Sequence, residues 1–116
     1  MSALILIVED DQPIRESLRD LLTDEGYRVA EAAHGAEALE RMEAEIPSLI
    51  ILDLWMPVMT GGELRERLQA DPRWAKVPIL VLTAANEVTD LPTLRKPVGL
   101  RALLSAVAAK LSEGGG

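Results

Sequence analysis

Four separated stretches of this 116-residue chain carry side chains that could do chemistry together. Glu9, Asp10 and Asp11 follow the apolar run "LILIV"; Asp53 ends "IILD"; Thr83 ends "VPILVLT"; Lys96 follows "TLR" and precedes Pro97. Carboxylates crowded at one place repel and raise each other's pKa, and a hard divalent cation relieves this. Mg²⁺ (or Mn²⁺) prefers oxygen ligands, takes one or two carboxylates, keeps waters and shares phosphate oxygens. With such an ion among these carboxylates, Asp53 could attack phosphorus as a carboxylate nucleophile, giving an acyl phosphate. Phosphoryl transfer needs mainly positioning and charge neutralisation. The cation, the Thr83 hydroxyl and the Lys96 ammonium would serve the three phosphoryl oxygens.

Such a site exists only if the chain brings the four stretches to one place. Residues 4–8, 49–54 and 77–83 are short, continuous apolar runs, as expected of parallel strands buried on both faces. "YRVAEA" (27–32) is a more polar strand suited to a sheet edge, and "TLRK" (93–96) a short fifth strand. Between them, Asp11 can cap a helix that tolerates Pro13 in its first turn, carries Ile14, Leu18, Leu21 and Leu22 at helical spacing, and stops at Gly26. Residues 35–45 form a second helix with Leu39 and Met42 inward, residues 63–70 a third, and residues 99–111 a last one striped by Leu100, Leu103, Leu104, Val107 and Leu111. Alternating strands and helices predict an α/β fold: an open parallel five-stranded sheet, order 2-1-3-4-5, with helices on both faces. In such sheets, ligands bind beyond the carboxyl ends of the strands where strand order reverses, here between the first and third strands. The four stretches lie at those carboxyl ends.

Composition narrows the function classes. Net charge is −7, with 19 acidic against 12 basic residues, which argues against direct contact with nucleic acid or an anionic membrane. The absence of cysteine excludes disulfides, thiolate metal sites and thiol nucleophiles. The first residues read as a strand rather than a signal peptide, and no apolar run approaches a membrane span, so a cytoplasmic location is expected. Residues 1–112 form one domain, and 113–116 a flexible tail or linker start. Several residues have plainer readings. Asp11 serves better as a helix cap than as a ligand. His34 reads as a surface histidine in a loop. Trp74 packs the loop after the third helix, and Met56 and Met59 anchor theirs.

"LILIVEDD", "IILDLWMPVMTGG", "VLTAA" and "LRKP" occur in the order found in the receiver domain of bacterial two-component response regulators, and the chain resembles that family over nearly its whole length. The resemblance implies a flavodoxin-like fold and a signalling module rather than an enzyme. Asp53 would accept a phosphoryl group from the phosphohistidine of a sensor kinase or a phosphotransfer domain. Asp10, Asp53 and the backbone carbonyl of Trp55 would bind Mg²⁺ directly, and Glu9 through a water. Thr83 would be the switch hydroxyl and Lys96 the phosphate-sensing lysine, with a cis bond to Pro97. An output domain or partner protein would read the switch, and homodimerisation is left open. A phosphatase of the haloacid dehalogenase type also uses an aspartyl phosphate, but it places a second acid where Trp55 stands.

Three features depart from the family. Only ten residues separate Thr83 from Leu94, too few for an ordinary crossover helix, so the usual fourth helix is expected to be lost or reduced. Thr93 stands where most receivers carry the aromatic that couples to the switch hydroxyl. Trp55 and Ala85 occupy positions bordering the path of an attacking water, and neither side chain can orient one. The short crossover and Thr93 keep a second reading in play: a protein-interaction module on this fold that does not depend on phosphorylation.

Overall fold

A computed structural model describes residues 3–53, 61–83, 93–95 and 100–114. Its five strands are β1 (Leu4–Val8), β2 (Arg28–Ala32), β3 (Leu49–Asp53), β4 (Ile79–Thr83) and β5 (Thr93–Arg95). They form one parallel sheet in the order β2-β1-β3-β4-β5, as the run of apolar segments predicts. The four helices are α1 (Gln12–Asp24), α2 (Gly35–Ala44), α3 (Gly61–Ala70) and α4 (Leu100–Gly114).

Strand alternation divides the apolar residues into two cores. Leu6, Val8, Ile50, Leu52, Ile79 and Val81 face one way and pack with Ala38 and Met42 of α2, Leu64 and Leu68 of α3, and Trp74. Ile5, Ile7, Leu49, Ile51 and Leu80 face the other way and pack with Leu18 and Leu22 of α1 and Leu103 and Val107 of α4. The central strands are therefore covered on both faces, which is why they read as unbroken apolar runs. β2, at the edge, is less buried along most of its length.

The capping of α1 follows the sequence reading. The Asp11 side chain accepts from the Ile14 N–H at 3.1 Å, Pro13 lies in the first turn, and Gly26 takes φ +96° after the last one. Glycine meets no steric cost there, because that backbone region excludes most side chains. Some expectations need correction. Ile14, although at helical spacing with the buried Leu18 and Leu22, is 37% exposed, because the first turn of α1 lies at the carboxyl edge, where the sheet ends. His34 is not a free surface side chain: it caps α2, its Nδ1 accepting from the Glu37 N–H at 3.2 Å while Glu37 accepts from the Ala33 N–H at 2.8 Å. α4 continues to Gly114 instead of stopping at Leu111; glycine disfavours a helix only mildly at its last turn. α3 begins at Gly61 rather than Glu63, and β4 at Ile79 rather than Val77. Trp74, 6% exposed, packs beneath the loop after α3 as expected. The reduced fourth helix of the crossover falls in residues 84–92, outside the described residues.

Arg73 ties that loop to α2. Its guanidinium lies 4.5 Å from the centre of the Trp74 ring and pairs with both oxygens of Glu43 and with Asp71. Hydrogen bonds from Arg73 hold the Glu43 and Asp71 carboxyls below their ordinary values of 4.5 and 3.8. A carboxyl lowered in the folded state adds stability above its ordinary value and loses it as pH falls through the lowered one. Arg73 and Glu43 are exposed and Asp71 is only half-buried, so the effect is small and screened by salt. Wild type is therefore expected to melt slightly above Glu43→Gln at neutral pH, with the gap closing as pH falls through and below 4.5; thermal melts at low salt check this.

Candidate functional site

The carboxyl ends of β1, β3, β4 and β5 are neighbours in the sheet, about 4.8 Å apart from strand to strand. Their ladder fixes the heights of the candidate residues. Val8 pairs with Leu52, Asp53 with Leu82, and Thr83 with Arg95. Glu9, the next residue after Val8, continues the ladder on the other side, its N–H donating to Ala32 O at 3.0 Å. Glu9 thus stands level with Asp53 in the adjacent strand, and Thr83 lies one residue further along the next. The backbone brings together three of the four stretches in which chemistry was expected. Lys96 follows the last residue of β5 and lies outside the described residues, as do Trp55, Met56, Met59, Ala85 and Pro97. The side chains of Asp53, Thr83 and Thr93 are likewise outside the described part.

Glu9 is 1% exposed, the buried charged residue of the described part, whereas Asp10 and Asp11 are exposed. Burying a carboxylate costs several kcal/mol unless nearby charge or hydrogen bonds compensate. The strand nevertheless runs straight into this acid, and the loop around it is fixed from three sides. The Glu9 N–H is held by Ala32 O, its carbonyl accepts from Arg15 Nη1 at 2.9 Å, and Asp11 is fastened to α1 by its capping bond. Asp10 is suspended between two anchored residues and open to solvent. An acid so placed is accessible to an ion from solution.

The donor set fits a hard divalent cation. It offers carboxylate oxygens and no sulfur, and His34, the lone histidine, spends its Nδ1 on the α2 cap. Among the described residues no group of three His, Cys, Asp or Glu side chains converges. The expected set is completed by the Asp53 side chain and the Trp55 carbonyl, which are not among them.

Arg15, Arg19 and Glu31 were not singled out by the sequence. Arg15 and Arg19 stand one helical turn apart on α1, and both reach Glu31 of β2 at 3.3 Å. The available signal was weak: an acid inside a strand, and two arginines at i and i+4.

The sequence profile described as "Response regulator receiver domain" matches residues 5–108. The response regulator MprA of Mycobacterium ulcerans is 38% identical over 96% of this chain and 51% of its own length. The transcriptional regulatory protein AfsQ1 of Streptomyces coelicolor is 35% identical over 95% and 52%. The chain thus spans about half the length of the curated relatives it matches. Among solved structures, a CheY-like response regulator receiver domain protein of Methanospirillum hungatei superposes with a TM-score of 0.90 at 31% identity, covering 98% of this chain and 97% of that one. The chemotaxis protein CheY4 of Vibrio cholerae gives 0.87 at 32%, covering 94% and 98%.

The cap that ends the acidic loop is directly testable. Asp11→Ala is expected to cost about 1 kcal/mol of stability, the usual loss for a side-chain N-cap, read by denaturant unfolding.

Proposed function

The chain belongs to the response regulator receiver domain family, and from that premise we propose that Asp53 takes a phosphoryl group from the phosphohistidine of a sensor kinase or phosphotransfer domain. The observation that carries this reading is the register: Glu9 and Asp53 end adjacent strands at one level, with Asp10 just beyond and Thr83 on the next strand.

Asp10, Asp53 and the Trp55 carbonyl would hold Mg²⁺ or Mn²⁺, with Glu9 acting through a water. When bound, the ion would neutralise the carboxylates and a phosphoryl oxygen. An Asp53 carboxylate oxygen attacks phosphorus, the P–N bond to the histidine breaks, and the imidazole leaves with the electron pair. Lys96 and the Thr83 hydroxyl bind the other phosphoryl oxygens. Pairing the phosphoryl group with Lys96 and Thr83 draws in the segments carrying them, and a partner or output domain reads that change. Among the described residues, no helix is long and apolar enough to cross a membrane, and the overall charge is acidic. Both fit a cytoplasmic protein whose direct partner is another protein.

With Mg²⁺ and acetyl phosphate, intact mass is expected to show a single phosphoryl adduct on the wild-type chain and none on Asp53→Asn. No adduct on the wild type would overturn the reading. Thr93 and the ten-residue crossover favour the phosphorylation-independent alternative; an adduct with no change in shape or oligomeric state would support it.

In the receiver family the positions held here by Trp55 and Ala85 border the path of an attacking water, and neither an indole nor a methyl can orient one. The acyl phosphate is therefore expected to be long-lived. Its half-life should shorten in Trp55→Ala, measured by loss of the adduct mass over time; an unchanged half-life would count against shielding by the ring.

A further inference from the structure

The loop that carries the acidic pair is held by a side chain outside the pair. Arg15 is largely buried, with 15% of its side chain exposed, and its guanidinium is committed at two points. Nη1 donates to the backbone carbonyl of Glu9 at 2.9 Å, and Nε donates to Glu31 Oε1 at 3.3 Å. The second oxygen of Glu31 accepts from Arg19 Nη1 at 3.3 Å. Glu31 belongs to β2 and pairs in register with Ile7, two residues before Glu9. One carboxylate thus fixes the Arg15 fork against the sheet, and the fork fixes the carbonyl at the base of the loop.

From this geometry we infer that Arg15, oriented by Glu31 and Arg19, is a positioning residue for the acidic pair, holding Glu9 and Asp10 ready for a divalent cation. The inference rests on the receiver reading of the site. A planar guanidinium suits the task because its donors have a fixed relative geometry, so anchoring one at Glu31 aims another at the Glu9 carbonyl. Groups that orient a metal's ligands without touching it commonly alter affinity tenfold or more.

Charge and position make opposite predictions here. Arg15 is a cation near a cation site, so on charge alone Arg15→Ala would tighten Mg²⁺ binding. If Arg15 positions the loop, the same substitution weakens binding, because the released loop must be ordered again by the ion. Arg19 reaches the loop through Glu31 and makes a second case: Arg19→Ala should weaken binding in the same direction by a smaller factor.

The experiment is Mg²⁺ titration by calorimetry of wild type, Arg15→Ala and Arg19→Ala, with thermal melts to confirm folding. Amide hydrogen exchange at residues 9–11 is measured without metal. Arg15→Ala is expected to bind roughly tenfold more weakly and to exchange faster at Glu9. Equal or tighter binding in folded Arg15→Ala, or unchanged exchange, would overturn the inference. If Arg15→Ala does not fold, Arg19→Ala decides by the same two readings. A wild type that binds no Mg²⁺ would refute the receiver reading of the site, and the exchange comparison would still test the clamp.

Discussion

The central strands of this protein are buried on both faces, and that constraint arranges everything else. β1, β3 and β4 lie between two helical layers, so they cannot carry charge along their length without a heavy desolvation penalty. Polar chemistry is confined to the strand ends. Because all five strands are parallel, their carboxyl ends fall on one edge, and residues far apart in the chain become neighbours there.

The edge needs more than proximity. Glu9 is buried and Asp10 exposed, though they are consecutive. The difference arises because β1 keeps its ladder through the Glu9 N–H before the chain turns towards the Asp11 cap. Arginines do much of the surface fastening: Arg15 and Arg19 join α1 to β2, Arg28 pairs with Glu45, and Arg73 joins the loop after α3 to α2. Exposed pairs of this kind contribute little each. The partly buried Arg15 differs, because it also satisfies a backbone carbonyl next to the site.

Much of the fold was legible in the residues. Strand order followed from the polar β2 and the apolar runs of β1, β3 and β4, and the α1 cap from Asp11 and Pro13. Ile14 shows where periodicity misleads: its spacing matches the buried stripe, but the first turn of α1 extends to where the sheet has ended. His34 shows the converse. A histidine is an uncommon cap, so its identity gave no warning, although Glu37 three residues later has the spacing of a capping box.

What the sequence determined alone was the inventory and its order: an acidic pair, an aspartate and a threonine, each placed at the end of a segment whose apolarity demands burial, and a lysine after a short fifth strand. Local patterning suffices for this, because hydrophobic runs and helix caps act over a few residues. Tertiary structure decided the level at which Glu9 meets Asp53, the burial of Glu9 beside an exposed Asp10, and the Arg15–Glu31 brace beneath them. Those depend on register between strands and on a helix lying across the sheet, which no local spacing encodes.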